Sequence, residues 1–290
     1  MRRIIQTVWR ILTAPFRIIY WFFRLIYRWF ANIAIEIRTF MGEEPEDEPL
    51  AETVAKTIQN PGGLLVHIDA LRKHLLRALA FLALTTALSF TFTSKIIDVL
   101  SQPVGGIGAL RAIDVTEPIG VFMRVALLAG FALGLPYIAF ELWLFAAPGL
   151  KRNSRIISLV AIPVTTFFFI GGMLFAYTIL LPNAIPFLVN FMGITAQLRP
   201  SSYVRFVTGI MFWIGIAFEF PLVVFLLARI GLVKARSLLD QWRLAVVAIA
   251  LLSAMITPTV DPVNMALVMG PMVTLYFLGV GLAWLAARNR

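Results

Sequence analysis

Six apolar segments alternate with short polar segments along the chain, and this pattern predicts its architecture. The apolar segments cover residues 75–92, 119–146, 156–181, 206–228, 244–255 and 263–286. A helix of about 20 apolar residues is long enough to cross the hydrocarbon core of a bilayer, which is about 30 Å thick. We therefore predict an all-α membrane protein with six transmembrane helices.

The fifth apolar segment is too short to be a full span. It is followed by Thr257-Pro258 and then by Asp261-Pro262. Proline removes a backbone donor and restricts the residue before it, so a helix seldom continues through such a stretch. We predict that helices five and six are short and form a hairpin that falls short of one membrane face.

The fourth apolar segment contains a single charged residue, Glu219. It lies ten residues before Arg229, which is roughly 15 Å along a helix. A carboxylate near the bilayer centre costs about 2.5–3.5 kcal/mol on insertion scales, and Pro221 loosens the backbone around it. We interpret Glu219 as functional. The structural alternative is a protonated glutamate held by a hydrogen bond to a neighbouring helix.

Composition narrows the possible functions further. Hydrophobic residues make up 60% of the 290 residues, which is typical of a polytopic membrane protein. The chain has no cysteine, which excludes disulfides and thiol chemistry. Its two histidines, His67 and His74, precede the first apolar segment, and the segments contain no nucleophile–base pair. We expect no metal site, no cofactor and no enzymatic activity.

The net charge of +10 is partly a signal of membrane topology. Basic residues near the spans number twelve on one side and four on the other. The twelve are Arg72, Lys73, Arg77, Lys151, Arg152, Arg155, Arg229, Lys234, Arg236, Arg243, Arg288 and Arg290, and the four are Lys95, Arg111, Arg199 and Arg205. The basic side faces the cytoplasm in most membrane proteins. This predicts cytoplasmic termini, and because the charges are divided among short loops, nucleic-acid binding is disfavoured.

Three regions follow one another along the chain. Residues 1–41 carry arginines at multiples of seven between many aromatic residues, which predicts a basic amphipathic helix lying on anionic lipid. The alternatives are that this helix docks on a partner or that it spans the bilayer. Residues 42–63 form an acidic, proline-containing linker with a short helix, and residues 64–290 form the membrane domain.

Several motifs within the membrane domain resemble the TatC family, the multispanning component of the twin-arginine protein translocase. They are HIDALRKHL at 67–75, Pro103, LPYIAFELWLFAAPGL at 135–150, GGMLFAYTILLP at 171–182, YVRFVTGIMFWIGIAFEFPLVVFLLARIGLV at 203–233 and ITPTVDPVN at 256–264. These motifs follow in family order over residues 64–286. Residues 1–63 lie outside the resemblance.

The resemblance implies a curved, glove-like bundle of six helices in the bacterial cytoplasmic membrane, with both termini cytoplasmic. It implies a receptor for the twin-arginine signal peptides of folded cargo. This receptor would assemble with small single-span subunits of the TatA and TatB type, driven by the proton-motive force. It would also form a homo-oligomer within the complex.

The resemblance also suggests which residues act. Pro103, Phe145, Glu219 and Asp261 match positions on which the family depends, and Arg72 matches the arginine of its N-terminal motif. Two family glutamates, which pair with the signal's arginines, are replaced here by Ala70 and Ser154.

We expect Asp69 and Glu141 to substitute for those two glutamates. The alternative source of carboxylates is the acidic linker, with Glu43, Glu44, Glu46, Asp47 and Glu48. We therefore predict a signal-peptide site of Asp69, Leu71, Arg72, Glu141 and Phe145. We expect Glu219 and Thr257 to contact a partner within the membrane, and Pro103 and Asp261 to function on the periplasmic side.

Two other functions are compatible with the sequence. The chain could be a TatC-like scaffold that holds partner helices without reading twin-arginine signals, because the two glutamates are missing. It could also be a proton-coupled solute transporter with Glu219 as the carrier site. Such transporters commonly contain internal repeats around a midplane site, and no repeat is visible here.

Overall fold

The structure, a computed structural model, describes residues 61–147, 152–189, 198–257 and 262–288. Within these ranges the secondary structure is helical, as the apolar pattern predicted. The predicted amphipathic helix of residues 1–41 and the linker before residue 61 lie outside the described residues. Both, together with the proposed contact with anionic lipid, stay predictions.

The first helix, α1, is longer than its apolar segment. It covers Pro61–Ser101 and contains 41 residues, about 60 Å at the usual helical rise. The residues before position 75 are continuous with the span in one helix. Proline at the first helical position is favourable because its missing N–H would have no partner there. Two short turns, Gln102–Val104 and Ile107–Ala109, follow α1.

The second helix, α2, covers Glu117–Ala146 and packs along α1. The two backbones approach closely at Gly130, where a Cβ atom would lie 2.5 Å from the Thr86 Cα. The Ser89 hydroxyl donates a hydrogen bond of 2.6 Å to the backbone oxygen of Ala126 across the same contact. Small and hydroxyl side chains at a helix contact allow such close packing in membranes.

The third span ends later than its sequence predicts. Helix α3 covers Arg152–Phe175, and a π-helical turn over Ala176–Leu180 joins it to α4 at Leu181–Val189. The sequence analysis placed the end of this span at residue 181, before Pro182, so that boundary is wrong. Proline normally clashes with the carbonyl four residues earlier. The wider π turn immediately before it accommodates the ring while the helical direction continues.

The fourth span is divided at Glu219. Helix α5 covers Pro200–Phe218 and helix α6 covers Phe220–Ile230, so Glu219 occupies the junction. The Glu219 carbonyl still accepts bonds of 3.0 Å from the N–H groups of Leu222 and Val223. The interruption therefore exposes little backbone, although Pro221 lacks a donor.

The last helices form the predicted hairpin. A short helix α7 covers Ala235–Asp240, α8 covers Trp242–Ile256 and α9 covers Pro262–Arg288. Helix α8 has 15 residues, about 22 Å, which is shorter than the hydrocarbon core. Helix α9 has 27 residues and is longer than the short helix six that was expected. Among the described residues, five helical segments are long and apolar enough to cross a membrane, and α8 is a shorter apolar helix.

The main core lies between α2, α5 and the π turn. Val125, Leu181, Val207 and Ile214 are fully buried there. At the end of the bundle that carries residues 102–116, which we call the loop end, polar bonds tie α1 to the later helices. The hydroxyl of Tyr203 donates to the Leu100 oxygen at 2.6 Å, and that of Tyr177 donates to the Val99 oxygen at 2.8 Å.

An ion pair between the buried Glu117 and the partly exposed Arg199 lies at this end. Glu117 accepts bonds from the Arg199 Nε at 2.8 Å and from the Ser201 hydroxyl at 3.1 Å. The backbone N–H of Arg111 also donates to the Leu198 oxygen at 3.2 Å. The start of α2 and the start of α5 are therefore held together.

Candidate functional site

A buried carboxylate occupies the end of the bundle opposite the loop end. Glu141 on α2 is completely buried. Its Oε2 atom lies 2.6 Å from Nδ1 of His74 and 4.0 Å from Nη1 of Arg77, and its Oε1 atom accepts a hydrogen bond from the Tyr137 hydroxyl. We call these four residues the Glu141 cluster. Buried charges are stable only when they are paired and hydrogen-bonded in this way.

Helical spacing explains why these side chains meet. Tyr137 and Glu141 are four residues apart on α2, and His74 and Arg77 are three apart on α1, so each pair lies on one helix face. Ala70, one turn before His74, is half-buried and belongs to the same face of α1. The position where the family pattern has a glutamate therefore points toward the Glu141 cluster.

Phe145 lies one turn beyond Glu141 and contacts both histidines. Its ring centroid is 4.7 Å from that of His67 and 6.3 Å from that of His74. Phe145 is half-buried, and His67 is exposed. The two histidines were not predicted to belong to this site. Their seven-residue spacing, which puts both on one face of α1, was the signal for it.

The other predicted residues of this site lie on the outside of α1. Asp69 forms an ion pair of 2.8 Å with Lys73, and both side chains are exposed. Leu71 and Arg72 are exposed as well. The structure thus brings Glu141 and Phe145 together, whereas Asp69 faces away from them and has a different partner.

Glu219 is a second polar residue inside the bundle and does not belong to the Glu141 cluster. Its Oε1 atom is buried and has no hydrogen-bond partner among the residues that the structure describes. The Thr165 side chain and the Phe169 backbone of α3 interact with the carboxyl group. A buried oxygen without a partner costs about 1–3 kcal/mol, so this carboxyl is suited to accept a bond from a group outside the chain.

Two of the remaining predicted residues, Thr257 and Pro103, lie at the loop end. Thr257 is buried, and its hydroxyl donates to the Ser253 oxygen of its own helix at 2.8 Å. Pro103 is half-buried in the turn that follows α1. Asp261 lies outside the described residues. Within the described ranges, no group of three His, Asp or Glu side chains could hold a metal ion.

A family model and several related proteins match this chain. The family model, described as Sec-independent protein translocase protein (TatC), matches residues 66–271. The TatC protein of Deinococcus radiodurans is 34% identical over 229 residues, which are 76% of this chain and 85% of that protein. The TatC protein of Koribacter versatilis is 32% identical and covers 78% of this chain and 87% of its own length.

Solved structures are also similar. A crystal structure described as the twin arginine translocase receptor TatC superimposes with a TM-score of 0.65 at 26% sequence identity. The match covers 77% of this chain and 100% of the crystallised one. The likeness therefore extends over the whole of that receptor's fold.

Proposed function

This chain belongs to the TatC family and is a subunit of the twin-arginine protein translocase, and we propose that it receives signal peptides at the Glu141 cluster. The observation that carries the proposal is a fully buried carboxylate beside a half-buried Phe145 at one end of the bundle. The family is one of protein translocases, and we propose that this member acts without catalysis. The comparisons do not favour the solute transporter.

The geometry suggests how one signal arginine binds. A guanidinium group forms two parallel hydrogen bonds with a carboxylate, which a lysine cannot do. The Glu141 carboxylate is in close contact with His74 and Tyr137, whereas the Arg77 guanidinium group lies 4.0 Å from it. A signal arginine would bind the Glu141 carboxylate more closely than Arg77 does. Its guanidinium group would also stack on the Phe145 ring, since arginine favours aromatic faces.

The second arginine requires another acid, for which we propose Asp69. Its pairing with Lys73 is exposed, and exposed ion pairs contribute only about 0.2–1 kcal/mol. A signal arginine can therefore replace Lys73 at little cost. Leu71 and Arg72, exposed beside Asp69, then line the edge of the site, with Leu71 contacting the apolar part of the signal.

Photocrosslinking of a signal peptide tests this site. Native protein should crosslink an Arg-Arg peptide in preference to a Lys-Lys peptide. Asp69→Asn combined with Glu141→Gln should reduce that preference about tenfold, because hydrogen bonds to charged groups contribute about 1.5–3 kcal/mol. Asp98→Asn, an exposed acid near the loop end of α1, is the matched control and should change nothing.

Two results would reject the proposal. If the double variant keeps the full preference for Arg-Arg, arginines are read elsewhere on the chain. If the native protein has no preference, the chain is a scaffold and another subunit reads the signal. Both readouts compare two peptides on one protein, so incomplete folding of a variant does not imitate either result.

The predicted residues outside the Glu141 cluster lead to further proposals about partners. We propose that Glu219 and Thr257 contact the transmembrane helix of a small TatA- or TatB-type subunit, and that Pro103 and Asp261 act on the periplasmic side. The buried Glu219 oxygen without a partner supports the first assignment. We further propose a homo-oligomer in the bacterial inner membrane, driven by the proton-motive force.

Membrane topology is a further testable part of the proposal. We propose that the Glu141 end and both termini face the cytoplasm, and the excess of basic residues on that side supports this. The chain contains no cysteine, so single cysteines report their own position. Ala112→Cys and Ser237→Cys are suitable because both positions are exposed. A membrane-impermeant thiol reagent should label position 112 in intact cells, and position 237 only after lysis. The reverse pattern would invert the orientation.

A further inference from the structure

A cavity of 540 Å³ opens at the loop end, between the start of α5 and the end of α8. Arg199, Ser201, Ser202 and Arg205 form its polar part. Phe206, Trp213 and Met255 are among its apolar lining residues. Clefts of about 300–1,000 Å³ are typical of small-molecule sites. The Glu141 cluster and Glu219 do not line this cavity.

The polar part of the cavity has an excess of positive charge. Arg199 is paired with Glu117, which also accepts bonds from Ser201 and from the N–H of Ile113. Arg205 is exposed, and within the described part of the chain it has no ion pair or hydrogen bond through its guanidinium group. The polar part therefore contains two guanidinium groups, and only that of Arg199 is paired with a carboxylate. An anionic group bound there would neutralise the excess positive charge of the polar part.

The apolar part extends from the charged part toward the middle of the membrane. Trp213 lies eleven residues after Ser202 on α5, about 16 Å further along the helix. Trp213 is 52% exposed and Met255 is 81% exposed. This arrangement fits a ligand with a charged head and a long apolar tail.

We propose that this cavity binds one anionic phospholipid. Its phosphate contacts Arg205 and the Ser202 hydroxyl group, and one acyl chain lies along Phe206 and Trp213. Arginine pairs well with phosphate because its planar donors match the phosphate oxygens. The amino terminus or a basic segment of a partner protein does not fit, since like charges repel. The proposal does not depend on the signal-peptide site.

The bound lipid also has a structural consequence. Helix α8 packs more extensively on α9 than on α5, and its end lies at the cavity through Met255 and Ile256. An acyl chain between Trp213 and Met255 therefore bridges α8 to α5. The short helix α8 is then supported at the depth where it ends.

Native mass spectrometry of the purified full chain tests the proposal. The protein is mixed with phosphatidylglycerol or with phosphatidylcholine, and the retained lipid is counted. We expect one phosphatidylglycerol to be retained more tightly than the others, and more tightly than phosphatidylcholine. Arg205→Gln should weaken this binding about tenfold, as expected for loss of a charge-assisted contact. Arg111→Gln, an exposed arginine at the same end, is the matched control and should retain it.

A second measurement locates the acyl chain. In a variant that keeps Trp213 and replaces the other tryptophans by phenylalanine, phosphatidylglycerol with brominated chains should quench the fluorescence. Arg205→Gln in that background should relieve the quenching. Equal retention by Arg205→Gln and Arg111→Gln would overturn the proposal, and so would equal retention of the two lipids.

Other occupants give distinct results. If soluble glycerophosphate competes as well as the lipid does, the cavity binds a free phosphate group and the acyl-chain contact is wrong. If Arg205→Gln lowers copurification of a small single-span subunit without changing retained lipid, the cavity is a protein-docking site. Either result overturns the lipid proposal.

Discussion

Replacing Glu219 by alanine should abolish export of a folded twin-arginine reporter while the protein still accumulates in the membrane. Loss of one hydrogen bond to a charged group is expected to lower export by at least about tenfold. Protein stability should be unchanged or higher, because the substitution removes a buried oxygen that has no hydrogen-bond partner among the described residues. Export of the reporter and the melting temperature of the purified protein measure the two effects separately.

Two further variants separate the functional role of Glu219 from a structural one. Glu219→Gln keeps a polar side chain and should retain part of the export, because the proposed partner needs a hydrogen-bonding group at that depth. Thr165→Ala removes a group on α3 that interacts with the carboxyl and should affect export much less. A parallel loss of abundance and export in Glu219→Ala would show that the residue serves the fold instead.

Gly130→Ala should destabilise the contact between α1 and α2 by about 1–3 kcal/mol, the usual range for overpacking. The added Cβ would lie 2.5 Å from the Thr86 Cα and Oγ1 atoms and 2.7 Å from its backbone nitrogen. Backbone atoms within a helix cannot move aside as a flexible side chain can. The helices must separate, which weakens the bond from Ser89 to the Ala126 oxygen.

Gly120→Ala is the matched control for this prediction. It makes the same change in the same helix, but no atom lies within 4 Å of the new Cβ. Alanine is preferred over glycine in helices by up to about 1 kcal/mol, so this variant should be as stable as the native protein or more stable. Thermal unfolding in detergent compares the two. Equal melting temperatures would show that the close approach at Gly130 contributes nothing.

The Gly130 variant should also weaken signal-peptide crosslinking. Glu141 belongs to α2 and its partners His74 and Arg77 belong to α1, so separation of the helices loosens the Glu141 cluster. Gly120→Ala leaves this contact in place and should retain crosslinking. Signal-peptide crosslinking should therefore fall only in the variant in which the contact between α1 and α2 is disturbed.

The amino-acid sequence by itself determined the membrane class and the order of the apolar segments, and it indicated the family. These features are local: hydrophobicity and length decide whether a segment can enter a bilayer as a helix, because its backbone must be satisfied within the segment. The unusual position of Glu219 was also visible, since a charged residue in an apolar run is costly wherever its helix packs. The break at Glu219 agrees with the expectation from Pro221.

Only the tertiary structure decided which side chains meet. Glu141 contacts His74 across 67 positions of the chain, and Glu117 contacts Arg199 across 82. Helix α2 is apolar on most sides, so its sequence does not show which face packs on α1. The rotation of one helix against another is set by close packing, as at Gly130 and Thr86. For that reason the sequence suggested Asp69 and Glu141 as one pair, whereas packing turned Asp69 outward and buried Glu141 beside a histidine.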